Sequence, residues 1–297
     1  MNTLGISLAV GQRTLDNPKQ IQLVSSINLS TFGLVSKFLK SRRQGLSKET
    51  LKFYKGYLIR AIPVIGFNVK ANNIVLFLSK LQCGNGGKHA YFRALRAFYS
   101  WLYSKNSGYN LIPQDNPLLL IEAPRVEQRL MPSITEQQVQ YLINSADTIR
   151  DKCIISLLAD SGMRLNELAN IKATDINWDT STIIIWGKGN KQRKAPFTDG
   201  TASLLKTVIA TDGTGTNVWG INKFGIQKLF KRLREDTGIT CNPHSFRRGF
   251  ACNLHRKGLS TLDIMHLGGW SDLSMVLRYT RSITFEDCLE HYKRVTG

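Results

Sequence analysis

From residue 30 onward, the apolar positions fall at helical spacing. Phe32, Val35, Phe38 and Leu39 recur as one face, and Gly45 closes that segment. Ser47 is placed to cap a second helix, striped by Leu51, Tyr54 and Leu58. A third helix is expected from Asn73 to Leu81. Gly84, Gly86 and Gly87 then break the chain, and a fourth helix starts near Lys88 with Tyr91, Leu95, Phe98 and Leu102 on one face. Residues 30–112 thus read as a small helical domain. Pro113, Pro117 and Pro124 among charges make 113–131 a linker. Residues 1–29 have weak periodicity and read as an N-terminal extension.

A second domain spans 132–297. Thr135 and Gln138 have capping-box spacing, and helices follow to about Asp147 and from Asp151 to Ser161. The period changes between Ile171 and Phe197. Thr182-Ile-Ile-Ile-Trp186 is a short β-branched strand, Gly187 to Lys191 a turn with Lys188 near its tip, and Gln192–Phe197 the returning strand. Gly213–Asn217 reads as a loop. Asn222–Thr237 reads as a basic helix with Phe224, Leu229, Phe230 and Leu233 as its core face. At the end, Phe285, Cys288, Leu289, Tyr292 and Val295 form an apolar stripe behind Thr284, a capping residue, with Asp287 in the first turn.

Charge sharpens this picture. The 297-residue chain carries a formal net charge of +19, which favours a polyanionic partner. Residues 30–112 hold 14 Lys and Arg against one acid, Glu49, a net +13 in under a third of the length. Charges spread over several helices fit DNA phosphates better than a membrane surface, and no run of 18 apolar residues predicts a membrane span. Lys88, Arg93 and Arg96 in the first domain and Lys228, Lys231 and Arg232 in the second are the candidate DNA contacts. The five cysteines (83, 153, 241, 252 and 288) form no CxxC pair, so buried free thiols in a reducing, cytoplasmic compartment are expected. No metal site is expected, because the histidines lack ligand spacing with these cysteines.

Four short motifs carry the chemistry. They are Ser161-Gly-Met-Arg164-Leu-Asn-Glu167, Gly187-Lys188-Gly-Asn-Lys-Gln-Arg193, His244-Ser-Phe-Arg247, and Gly268-Gly-Trp270 followed by Tyr279. Arg164 and Arg247 offer permanently charged planar forks that suit the anionic oxygens of a phosphodiester. Read alone, Arg164 could equally cap a helix or pair with Glu167. Tyr279 read alone, in Leu-Arg-Tyr-Thr, is more often a core or interface residue than a nucleophile. In this order, the motifs resemble those of the tyrosine recombinases, the phage integrase family, over nearly the whole chain and with a Xer-like simple architecture.

That resemblance implies a mainly α fold with a small β-sheet. A helical SAM-like core-binding domain closes one side of a DNA clamp, and a mixed α+β catalytic domain follows. It implies Tyr279 as the nucleophile, forming a 3′-phosphotyrosyl intermediate. Arg164 and Arg247 would be the phosphate clamp, His244 the proton acceptor, Lys188 the acid for the departing 5′ oxygen, and Glu167 a supporting carboxylate. Trp270 stands where many bacterial members have His; its indole can donate to a phosphate oxygen but cannot shuttle a proton. Arg248 also departs from a common His. No cofactor, metal, ATP or small-molecule substrate is implied. The partners are a double-stranded recombination site and three further copies of the chain, with the C-terminal tail docking on a neighbour to form a homotetramer. Packing of the tail on its own catalytic domain is the other reading. Two alternative functions are a type IB topoisomerase-like enzyme and a non-catalytic DNA-binding protein.

Overall fold

The computed structural model describes residues 31–66, 69–127, 133–187, 192–212, 217–281 and 283–296. The N-terminal extension, Lys188 with the rest of the hairpin tip, and most of the 213–217 loop lie outside the described residues. The chain forms two compact units divided near residue 128.

The first unit holds α1 (Thr31–Ser41), α2 (Lys48–Ile65), α3 (Ala71–Lys80) and α4 (Asn85–Leu102). The Ser47 hydroxyl caps α2 by accepting from the Thr50 N–H at 3.2 Å. Its core contains an aromatic cluster. Phe38 lies edge-on to Tyr54 and Phe98, and Trp101 packs against both phenylalanines. Phe32 is exposed, and Leu34 and Val35 join Phe38 inside. Gly86 and Gly87 do not interrupt the chain. Gly84 is extended and precedes the helix, so α4 begins at Asn85, and a β-carbon on Gly87 would sit 2.8 Å from the Cys83 sulfur.

The stretch expected to be a linker is partly structural. Pro113–Asp115 and Pro117–Leu120 form 3-10 turns, and Pro117 and Leu118 are buried in the core beside α4. Proline fixes φ at the start of each turn, and the Asn116 side chain accepts from the Leu118 N–H at 3.0 Å. Among the candidate DNA contacts here, Arg93 and Arg96 are exposed and lie over the rings of Phe53 and Phe92. Lys88 is half-buried and donates to the Ser79 carbonyl.

The second unit begins with α5 (Glu136–Ser145), α6 (Ile149–Ser161) and α7 (Leu165–Ala169). The Thr135–Gln138 capping box forms in both directions, at 3.0 and 3.2 Å. A three-stranded antiparallel sheet follows, of β1 (Ile176–Asn177), β2 (Thr182–Trp186) and β3 (Gln192–Pro196), with Ile183 opposite Ala195 and Ile185 opposite Arg193. Then come α8 (Asp199–Asp212), α9 (Lys223–Thr237), α10 (Pro243–Arg256), α11 (Thr261–Gly268), α12 (Leu273–Thr280) and α13 (Phe285–Thr296). Four buried residues of α6, Ile154, Ile155, Leu157 and Leu158, centre the main core with Trp219, Phe230 and Phe246. A smaller core of Phe250, Ala251, Ile264, Trp270 and Val276 joins α10, α11 and α12.

One expectation for α9 needs correction. Phe224 is exposed, and Ile226 takes its place on the buried face with Leu229, Phe230 and Leu233. Arg232 is exposed, and its guanidinium donates to the buried Asp151 at 2.8 Å and pairs with Asp147 at 3.3 Å, so it supplies the cation that a buried carboxylate requires. Lys228 and Lys231 are exposed, and Lys231 pairs with Glu235 at 3.6 Å.

The tail helix α13 is capped as its sequence predicts, with Thr284 and Asp287 exchanging bonds at 3.0 and 3.3 Å. Polar contacts tether it to α10: Arg256 Nε binds Asp287 at 3.0 Å, and Arg294 donates to the Arg256 carbonyl. Its apolar stripe faces outward. Phe285 is 75% exposed and Val295 72%, so the expected alternative of packing in cis is not what this stripe does. All five cysteines are free, but only Cys153, Cys241 and Cys252 are buried as expected, Cys83 and Cys288 being exposed, and no helix among the described residues is long and apolar enough to cross a membrane.

Candidate active site

Helix α6 ends at Gly162, whose left-handed backbone (φ +56°) turns the chain sharply. A β-carbon there would meet the Phe250 ring at 2.8 Å, so glycine serves both the turn and the close packing. The turn delivers Arg164 to the start of α7. Glu167, one turn on, accepts from the Arg164 main-chain N–H at 2.9 Å and from its Nη1 at 2.7 Å. The pairing with Glu167 raised from sequence is therefore present, and it orients the Arg164 fork.

Helix α10 supplies the second guanidinium. Asn242 caps it by accepting from the N–H groups of His244 and Ser245, with Pro243 in the first turn. His244 is exposed, and its ring makes no hydrogen bond among the described residues. One turn later, Arg247 is 3% exposed. Its Nη1 donates to the Gly162 carbonyl at 2.5 Å, joining the two turns that carry the arginines.

Helices α11 and α12 close the site. The α11 C-terminus turns through Gly269 (φ +62°), and a β-carbon on Gly268 would fall 1.9 Å from the Trp270 ring. Two glycines therefore let the indole fold back into the site. Trp270 is 6% exposed and lies over Arg247, whose guanidinium carbon is 4.1 Å from the ring centroid. Tyr279 is half-buried, 5.6 Å from Trp270 between ring centroids. The Cys252 thiol donates to the Tyr279 carbonyl at 3.2 Å, tying α12 to α10.

The site holds more positive than negative charge. Burial, then the charges of Arg164 and Arg193, push the Arg247 pKa down to about 10, while Glu167 and Tyr279 oppose the shift. Burial pushes the Glu167 carboxyl up, but the Arg193 charge and the hydrogen bonds from Arg164 and Arg193 outweigh it and hold it below the usual range. Three buried donors of the site have no acceptor among the described residues: Arg247 Nη2, Trp270 Nε1 and Arg193 Nε. Buried N–H groups without partners are rare and costly. Here they belong to side chains around one excess of positive charge, an arrangement suited to an oxyanion.

The structure thus gathers Arg164, Glu167, Arg247, Trp270 and Tyr279. His244 is one turn from Arg247 on α10, with no ring hydrogen bond to them among the described residues, and Lys188 lies outside the described residues. Sequence reasoning quoted Arg193 within a motif but gave it no role. Arg193 Nη2 binds Glu167 at 2.8 Å, and its Nη1 donates to the Leu267 carbonyl at 3.3 Å. Among the described residues, no cluster of His, Cys, Asp or Glu could hold a metal ion.

The sequence profile of the phage integrase family matches residues 132–284. The chain belongs to the phage integrase family. It is similar to the tyrosine recombinase XerA of Pyrococcus horikoshii, 27% identical over 81% of this chain and 86% of that protein. It is also similar to the tyrosine recombinase XerD of Vibrio vulnificus, 24% identical over 89% of this chain and 95% of that protein. Two solved structures share the fold of this family member. A lambda integrase dimer bound to a COC′ core site has a TM-score of 0.71 at 15% identity, covering 94% of this chain and 85% of the other. XerH recombinase bound to palindromic difH in a post-cleavage complex has a TM-score of 0.66 at 19% identity, covering 96% and 90%.

Proposed function

We propose that this chain is a tyrosine-type site-specific DNA recombinase that cuts and rejoins a double-stranded recombination site through Tyr279. The observation that carries this reading is the buried Arg247, with an unpartnered Nη2, stacked on Trp270 beside Tyr279. The Xer and lambda-type relatives place the reading among recombinases rather than topoisomerases.

In this reading, the scissile phosphate enters between Arg164 and Arg247. Arg247 Nη2 and Trp270 Nε1 donate to its non-bridging oxygens, where charge grows as phosphorus becomes five-coordinate. The Tyr279 oxygen forms the new O–P bond as the bond to the 5′ oxygen breaks. His244 takes the phenol proton, and Lys188 protonates the departing 5′ oxygen. The phosphotyrosine keeps the bond energy, so a 5′ hydroxyl from the partner duplex can reverse the step. The first unit, whose Lys and Arg side chains among the described residues are exposed except for half-buried Lys88, contacts phosphates. The outward stripe of α13 docks on a neighbouring copy, and four copies repeated in this way close a ring.

The test is covalent capture. A duplex pool with a randomised core, nicked so that cleavage is irreversible, is incubated with the protein, and attached DNA is recovered and sequenced. Wild type is expected to form an adduct at a defined sequence, and Tyr279→Phe none while still binding it. An equal yield of adduct from Tyr279→Phe would overturn the assignment.

A further inference from the structure

Glu167 poses an electrostatic difficulty for this reaction. Its carboxylate grips Arg164 at 2.7 Å, so a full negative charge sits beside a guanidinium that must attract a phosphate. Unopposed, it would cancel much of Arg164's field at the phosphorus, since at this distance the two charges act nearly as a dipole. The Glu167 side chain is only 5% exposed, so water does little to screen it.

Arg193 occupies the other side of that carboxylate. Its Nη2 binds Glu167 Oε2 at 2.8 Å, and its side chain is 15% exposed, against 48% for Arg164. It reaches the site from β3, across the sheet from Ile185. Its path is built into the fold, because a β-carbon on Gly269 would fall 2.2 Å from Arg193 Cδ. The bond from Nη1 to the Leu267 carbonyl fixes the guanidinium against the last turn of α11, just ahead of Trp270. It is also close enough to Arg247 to help push that group's pKa down.

We propose that Arg193 is a positioning residue of the recombinase site and acts as the counter-cation of Glu167. The idea rests on the recombinase reading above and deepens it. Glu167 orients Arg164, and Arg193 neutralises Glu167, so orientation is gained without loss of field. With Arg193 present, three guanidiniums face one carboxylate and leave two positive charges. A phosphodiester attacked by a phenolate carries roughly two negative charges in the transition state. Without Arg193 the balance falls to one. The same side chain also holds the β3 end of the hairpin against the turn that carries Trp270.

The test uses the full chain on the suicide substrate recovered by covalent capture. Arg193→Met keeps the length and removes the charge. It is expected to bind the site within a few-fold of wild type and to form adduct about tenfold or more slowly. The deciding arm is the double variant Arg193→Met with Glu167→Gln. Removing the uncompensated carboxylate is expected to recover part of that loss, although Glu167→Gln alone slows cleavage. Lowering the pH should likewise raise the ratio of Arg193→Met to wild-type rates, because protonation neutralises Glu167. If Arg193→Met does not fold, Arg193→Lys carries the test. It keeps the charge, so it should cleave faster than Arg193→Gln, and Glu167→Gln should bring it no gain.

Cleavage by Arg193→Met at the wild-type rate would overturn the proposal. So would a loss that neither Glu167→Gln nor Lys relieves, which marks a purely structural role. Failure of the wild type itself to form an adduct would instead defeat the recombinase reading.

Discussion

The guanidinium of Arg247 lies 4.1 Å from the ring centroid of Trp270, and each side chain has a buried N–H without an acceptor among the described residues. The indole therefore does two separable things. Its face covers a buried cation, and its edge offers a donor. A histidine could supply the donor and shuttle a proton, but it offers a smaller face over Arg247.

The two contributions of Trp270 can be measured apart. Trp270→Phe keeps a ring over Arg247 and loses Nε1, so it should melt near wild type and cleave the suicide substrate about tenfold more slowly. Trp270→Ala empties the small core of α10, α11 and α12 and should cost about 3–5 kcal/mol in stability. Thermal denaturation beside adduct formation checks both. Equal cleavage by Trp270→Phe and wild type would show that Nε1 is idle.

Glu167 gives a pH dependence with a definite sign. Its carboxyl titrates lower in the folded chain than in the unfolded one. The stability it contributes is present at neutral pH, above the unfolded value, and fades as pH falls through the folded value. Wild type should exceed Glu167→Gln by about 1–3 kcal/mol at pH 7. That gap should narrow below about pH 4, the ordinary range for a glutamate. Urea denaturation at the two pH values measures it, and a constant gap would mean that the carboxylate charge is not what the two arginines hold.

The arginines of the two units should respond differently to salt. Arg93 and Arg96 are exposed, and each change to Gln should reduce the slope of log affinity against log salt by about 0.9 if it removes one phosphate contact. Arg232 is engaged by Asp151 and Asp147. Arg232→Gln should leave the slope unchanged and cost about 1–3 kcal/mol in stability by weakening the pairing of a buried carboxylate. Titrations at several salt concentrations, with melting curves, separate the two behaviours.

The tail makes a prediction about assembly. Phe285, Tyr292 and Val295 are exposed, so Phe285→Ser with Leu289→Ser should change the stability of the single chain by no more than about 0.5 kcal/mol. Binding of one site should persist, while assembly on paired sites falls. Light scattering on paired duplexes reads the outcome. Tetramers at wild-type concentration would remove the tail as the link between copies.

Much of this was legible because it is local. The Thr135–Gln138 capping box, the start of α9 at Asn222 and the Thr284 cap each depend on residues two or three apart. The site residues were legible only through the order of their motifs. What stayed hidden depends on distant partners. Helix α8 went unread because its threonines and valine are weak helix formers. Its first turn is organised from α6, where Asp160 accepts from the Thr198 N–H at 2.8 Å and the Thr201 hydroxyl at 2.6 Å. Arg193 has no legible role in the sequence because its partner, Glu167, lies 26 positions away. Prolines 113 and 117 suggested a linker, and only the core could show that Leu118 has a place in it.

Helix α10 carries Arg247 and, five positions on, Cys252, which holds the backbone of Tyr279. An α-helix advances about 1.5 Å and turns about 100° per residue. The offset between the cation and the nucleophile's anchor is therefore set by a count of residues along one rod. Substitutions on its outer side leave that count alone. A single insertion between positions 247 and 252 would swing one group about 100° away from the other. Evolution can thus vary the chemistry of this segment one side chain at a time, but it cannot change its length without dismantling the site.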